Sequence, residues 1–202
     1  MPVAVLTIKL FGNPAVFVDG REVTLPYRRA EALLYYLLLN RKAARSELVD
    51  LLWTDGDTAT ALKNLRHAIY TIRKRLECDL FLPGQRSMLE IDPSVDVRCD
   101  VLEFLEKDDL SVCGSNFLEG FSLPGADLFE EWMEEQRNLL QTRYLKKLLE
   151  AEQKALKSGD LSRAEQYGLE YVDRDPLDEN AAVALMEIYL PEEIPKGHWG
   201  LP

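Results

Sequence analysis

Residues Thr58–Leu76, TATALKNLRHAIYTIRKRL, carry five cations and no acid in a 202-residue chain of formal net charge −11. Lys63, Arg66, Arg73, Lys74 and Arg75 are donors suited to phosphates and guanine edges, and Asn64 has the amide that pairs with adenine. His67, Tyr70 and Thr71 add hydrogen-bonding groups and an aromatic ring. Leu62, Leu65, Ile69, Ile72 and Leu76 step by 3, 4, 3 and 4, the spacing of one buried helix face. The opposite face carries Lys63, His67, Tyr70, Thr71 and Lys74, with Arg66 and Arg73 on one shoulder and Asn64 and Arg75 on the other. A helix anchored on one side and cationic on the other is what a DNA major groove accepts. On this reading His67, Thr71, Lys63 and Asn64 lie nearest the bases, while Arg66, Arg73, Lys74 and Tyr70 hold phosphates or the groove wall. A basic stripe also suits a merely solvated helix face, so its place in the fold must decide between the two.

The charge is unevenly spread. Residues 1–92 hold 13 Lys and Arg against 11 Asp and Glu, a net of +2, and the remaining 110 residues carry −13. Such asymmetry points to separate tasks for the two halves. No apolar run approaches the ~18–20 residues that span a bilayer, and the start, MPVAVLTIKLFG, alternates like a strand rather than a signal peptide. Cys78, Cys99 and Cys113 lack any CxxC spacing, which fits reduced thiols and no metal site. The chain has two histidines, His67 and His198, and no phosphate loop, dinucleotide fingerprint, HExxH or GxSxG. No catalytic residue, metal or cofactor is expected.

The elements around the basic helix give it context. Val3–Leu10 alternates as a strand, Asn13-Pro14 turns, and Val16–Val18 is a second strand; Asp19-Gly20 signals a hairpin into Glu22–Thr24. Tyr27–Asn40 reads as a helix with Ala30, Leu33, Leu34, Leu37 and Leu38 inward, and Arg45–Trp53 as a second, with Trp53 in the core. The polar loop Thr54–Asp57 leads into the basic helix, which is therefore the third. Asp79–Leu82, the turn Pro83–Arg86 and Met88–Ile91 then make a hairpin with a cation at its tip. This order predicts a winged helix-turn-helix over residues 1–98, its third helix in the major groove and its wing on backbone or minor groove. Arg45, Ser46 and Arg86 are candidate backbone contacts. The topology favours DNA contact over a solvated stripe.

The second half reads as helical. Asp100 is the expected N-cap of a helix Val101–Glu106, and Asp127 with Glu130 has the form of a capping box opening Leu128–Ser158. Gly159-Asp160 breaks that helix, Leu161–Arg174 follows, and Asp178 can cap Glu179–Leu190. Gly159-Asp160, Ala164 and Pro176 fall where a tetratricopeptide repeat places its turn, small packing residue and closing proline, although Glu152 stands at the usual Gly/Ala position. The repeats occupy residues 99–190 and are incomplete, followed by an irregular tail, 191–202. The last helix should expose apolar surface for the tail, a second copy or a further segment.

LLNRKAARSELVDLLW with ALKNLRHAIYTIRKRL is similar to the winged helix of two-component response regulators. It resembles more closely the bacterial transcriptional activator domain family, which includes the antibiotic regulatory proteins. NFLEGFSLPGADLFEEWMEEQRNLL, Asn116–Leu140, resembles that family's signature stretch. The resemblance spans about residues 3–190. It implies an α+β winged helix-turn-helix followed by an all-α, truncated tetratricopeptide-like domain, in a cytoplasmic transcription regulator, usually an activator. Its expected partner is double-stranded promoter DNA, bound at repeats by a homodimer or in tandem. It also implies that the loop Thr54–Thr58, through Asp55 and Asp57, contacts RNA polymerase. Two departures stand out: Ala44 replaces the usual Ser or Thr cap of the second helix, so that either Ser46 caps a shorter helix or the cap is lost, and the linker Lys107–Ser115 is short. The rival reading is a protein-binding scaffold whose winged helix has lost DNA.

Overall fold

The computed structural model describes residues 5–54, 57–84 and 86–179, together with Val183, Leu185, Met186 and Tyr189. Asp55, the tail 191–202 and most of the expected last helix lie outside the described residues. The chain is a mixed α+β protein of six strands and six helices among those residues. The strands are β1 Leu6–Lys9, β2 Ala15–Val18, β3 Arg21–Glu22, β4 Lys42–Ala44, β5 Met88–Glu90 and β6 Val97–Cys99. The helices are α1 Arg28–Asn40, α2 Arg45–Leu52, α3 Thr58–Leu76, α4 Asp100–Lys107, α5 Asp127–Ser158 and α6 Leu161–Arg174.

In β1 the expected alternation holds, with Leu6 and Ile8 buried and Lys9 exposed. β1 pairs antiparallel with β2, Leu6 opposite Val18 and Lys9 opposite Ala15. Asp19 and Gly20 at the next turn have φ of 50° and 79°, the left-handed pair that a two-residue hairpin needs. The strand order is β3-β2-β1-β6, with β6 parallel to β1. Neither β6 nor β4 was foreseen. Each has three residues, too few for a period of two to show, and β4 exists because it pairs with β5.

The rest of the first half follows the expected order with local corrections. Leu82 N donates to Glu90 O (2.9 Å) and Asp92 N to Leu80 O (2.8 Å), closing the hairpin whose turn contains Gly84 at φ 85°. α1 is buried almost all round, from Ala30 to Leu38 save Glu31, because the sheet and the other helices enclose it. The α2 helix starts at Arg45, so Ser46 does not cap it. Ala44 has no side-chain acceptor, and Glu47 Oε2 instead accepts the Ala44 N–H at 3.3 Å. Trp53 lies just past α2 and is only half-buried. Asp100 is not an N-cap but the first residue of α4. Its carboxylate accepts N–H groups from Leu10 (2.8 Å), Phe11 (3.1 Å) and Val101 (2.8 Å), tying the end of β1 to the helix.

By compactness the chain divides into residues 1–140 and 141–202. The reason lies in residues 113–140, which pack on α1 and β1. Tyr36 and Phe129 meet Trp132 at ring separations of 4.9 and 5.2 Å, and Tyr35 meets Phe121 at 5.5 Å. Arg137 donates to the Phe117 and Leu118 carbonyls, and Leu118 N to Leu10 O. Glu130 accepts from Leu123 N instead of closing a box on Asp127, which is already helical.

The second unit comprises α5 from Gln141 onward and α6. Gly159 (φ 77°) ends α5, and Asp160 accepts from Arg163 N to cap α6. Ala155 and Ala164 are buried against each other with Leu156 and Leu185 beside them. Asp178 accepts the Tyr171 hydroxyl at 2.6 Å.

Candidate nucleic-acid interface

The α3 helix is fixed at both ends. Asp57 accepts from Thr60 N (2.9 Å) and Thr60 Oγ1 (2.8 Å), and these bonds hold its carboxyl below the usual range. Arg73, Lys74 and Arg75 in the last turn complement the negative end of the helix dipole. Ala61, Leu65, Ala68, Ile69, Ile72 and Leu76 are buried, and the helix packs on α1 and α2. Each buried Leu or Ile contributes about 1.5–3 kcal/mol. Leu62, expected on that face, is only half-buried.

Lys63, Asn64, Arg66, His67, Tyr70, Lys74 and Arg75 are exposed, as the periodicity requires. Thr71, expected among the residues nearest the bases, is only 8% exposed. Arg73 is half-buried and turned inward. Its Nη2 donates to Phe81 O (3.3 Å), its Nε lies 3.8 Å from Asp79, and its guanidinium sits 5.9 Å from the Phe81 ring. It therefore braces α3 against the hairpin rather than standing ready for a phosphate. His67 stacks on Tyr27, with rings 5.9 Å apart and 7° from parallel.

Two cavities flank the exposed face. One, of about 660 Å³, is lined by Arg45, Leu62, Arg66, Gly84 and Arg86, joining the start of α2, the middle of α3 and the hairpin turn. Its three charged lining residues are all arginines. Arg45 Nε is buried and makes no hydrogen bond among the described residues. Burial first, then repulsion from Arg66 and Arg73, pushes the Arg45 guanidinium below its ordinary pKa. Like charges held together at a partly desolvated site favour an anion between them. The other cavity, of about 840 Å³, lies between the β2–β3 hairpin and the C-terminal part of α3; Arg21, His67, Tyr70, Lys74 and Arg75 line it along with Glu22 and Glu77.

The structure thus gathers Arg45, Arg66 and Arg86 into one site, places Lys63, Asn64, His67, Tyr70 and Lys74 on one exposed helix surface, and withdraws Thr71 and Arg73. Ser46 is exposed in the first turn of α2. Tyr27 and Arg21 border the same surface and were missed, because they come from other elements and no helix periodicity marks them. Among the described residues no cluster of His, Cys, Asp or Glu could hold a metal ion, and no helix is long and apolar enough to cross a membrane.

No protein-family model and no curated protein sequence matches the chain. Among solved structures it is similar to Mycobacterium tuberculosis EmbR, determined in complex with a low-affinity phosphopeptide. The TM-score is 0.65 at 17% identity, over 92% of this chain and 55% of EmbR. This chain therefore spans about half the length of that neighbour, and the likeness is one of fold.

Proposed function

We propose that this chain is a sequence-specific DNA-binding transcription regulator built as a winged helix-turn-helix with a tetratricopeptide-like helical domain. The α3 helix enters the major groove, and the Phe81–Ile91 hairpin is the wing that meets the flanking backbone or minor groove. The observation that carries this reading is the cavity at which Arg45, Arg66 and Arg86 converge with no carboxylate in its lining. Three elements distant in sequence supply those cations beside the cationic face of α3, an arrangement suited to a polyanion that passes the helix on one side. The fold shared with EmbR, a regulator of the antibiotic regulatory protein type, supports it further. The domains are residues 1–98 for DNA and 99–190 for dimerisation or regulation, with Asp57 beside the loop proposed to face RNA polymerase.

The test is retention of the purified full chain on a random-sequence duplex library across a salt series, followed by selection for a motif. Binding that weakens steeply with salt, and a selected motif with repeats spaced near ~10–11 bp or its multiples, are the expected results. No retention even at low salt, with a stable protein partner instead, would establish the scaffold and overturn the regulator.

A further inference from the structure

We propose that Tyr70 is a specificity-determining residue that reads thymine through its C5-methyl group; the inference rests on the DNA-binding reading above. At 3.6 residues per turn Lys63, Tyr70 and Lys74 fall within about 20° of one line along α3, opposite the buried stripe of Leu65, Ile69, Ile72 and Leu76. Tyr70 occupies the middle of this crest and is 61% exposed. Tyr70 itself lines the larger cavity with Lys74 and Arg75, and the arginine-lined cavity lies on the other side of the crest. Lys63, Arg66 and Lys74 surround it and make no ion pair or hydrogen bond among the described residues, and neither does the Tyr70 hydroxyl. His67, the ring nearest in sequence, stacks on Tyr27 instead.

An aromatic ring at the centre of a cationic crest adds little to phosphate affinity, which its neighbours supply. Its apolar area gains energy only by meeting an apolar group. The major-groove floor has one such group, the methyl of thymine, whereas the other base edges there present only donors and acceptors. The position of Tyr70 on the crest directs it to that floor, away from the backbone at the flanks. Lys63, Arg66 and Lys74 fix affinity, and Tyr70 selects a T·A pair near the centre of the half-site.

The experiment uses the full chain and the duplex it selects from a random library, with each thymine replaced in turn by deoxyuridine, which removes only the methyl. At one position the replacement should weaken wild-type binding about fourfold, the value of one buried methylene-sized group at ~0.8 kcal/mol. Tyr70→Ala should bind more weakly and be indifferent to that replacement, whereas Tyr70→Phe should keep the penalty. An unchanged affinity for every deoxyuridine duplex, an equal penalty in Tyr70→Ala, or a selected site without thymine overturns the inference while leaving DNA binding intact. A Tyr70→Phe loss that is uniform across sequences shows a phosphate contact by the hydroxyl and overturns it too. Failure to retain any duplex at low salt overturns the regulator reading and this inference together, so the two failures are distinguishable.

Discussion

Removing the arginines of the acid-free cavity one at a time gives the strictest test of how this surface works. Arg66 and Arg86 come from α3 and the hairpin turn, and both are exposed, so Ala at either position leaves the core untouched. If each neutralises one phosphate, log K against log salt should become shallower by about 0.9 per arginine removed. Between about 50 and 200 mM salt that slope change is worth about 3.5-fold in affinity for each contact. The effects should not add, because Arg66 lowers the Arg45 pKa through repulsion. Removing Arg66 relieves Arg45 and leaves it the stronger partner for an anion, so the Arg45→Ala, Arg66→Ala double variant should lose more than the sum of the two singles. Arg73→Ala is the internal control. It loses the hydrogen bond to Phe81 O and the ion pair with Asp79, so it should lower stability by about 1 kcal/mol while changing the salt slope less than Arg66→Ala. Fluorescence anisotropy of a labelled duplex over the salt series provides the slope, and thermal unfolding the stability. An unaltered slope in both Arg66→Ala and Arg86→Ala, with binding retained, would refute the convergence argument.

Four further outcomes follow from the same geometry. Asp100→Ala strips the acceptor from the Leu10 and Phe11 amides, and at about 1–3 kcal/mol per unsatisfied buried group it should lower urea-unfolding stability by several kcal/mol. Burial raises the Asp100 pKa despite its N–H donors; a folded pKa above the unfolded value means its contribution is full at low pH and is lost as pH rises through the folded value. The stability of wild type relative to Asp100→Asn should therefore fall from about pH 4 upward, and a rising difference would refute the sign. Gly168→Ala places a Cβ 2.8 Å from Leu185 Cδ2 and 2.9 Å from Glu152 Oε1. Overpacking of about 1–3 kcal/mol exceeds the helix-propensity gain of about 0.8–1 kcal/mol, so melting of the helical signal should fall, and unchanged melting would show that the neighbours yield. Thr71→Val should leave the selected DNA motif unchanged, since the residue is buried, whereas a changed motif would restore Thr71 to the reading face.

What could be read from sequence was what depends on one element at a time. The 3.6-residue period located α3 to its terminal residues and identified all of its exposed cations, and Asp19-Gly20 gave the first hairpin, because helix and turn chemistry are local. The errors occur where a neighbour decides the outcome. Arg73 lies at an edge of the exposed arc by helix geometry, but Thr71 projects between the exposed Lys74 and Asn64, so packing from outside the helix rather than its own period removes Thr71 from solvent. Phe81 and Asp79 claim Arg73, and no α3 pattern could announce them. Asp100 has the residue type of an N-cap, yet the amides of Leu10 and Phe11, some ninety residues earlier, recruit its carboxylate. The convergence of Arg45, Arg66 and Arg86 belongs to the same class. Each was singled out separately as a candidate for phosphate, groove-wall or backbone contact, but only tertiary structure gathers them in one cavity, where the repulsion among them becomes an argument for an anion. A basic helix alone is compatible with mere solvation; a cationic crest with an arginine-lined flank and a central aromatic ring is not accounted for by solvation. That arrangement, rather than the number of cations, is the physical basis for the proposal that this surface meets DNA.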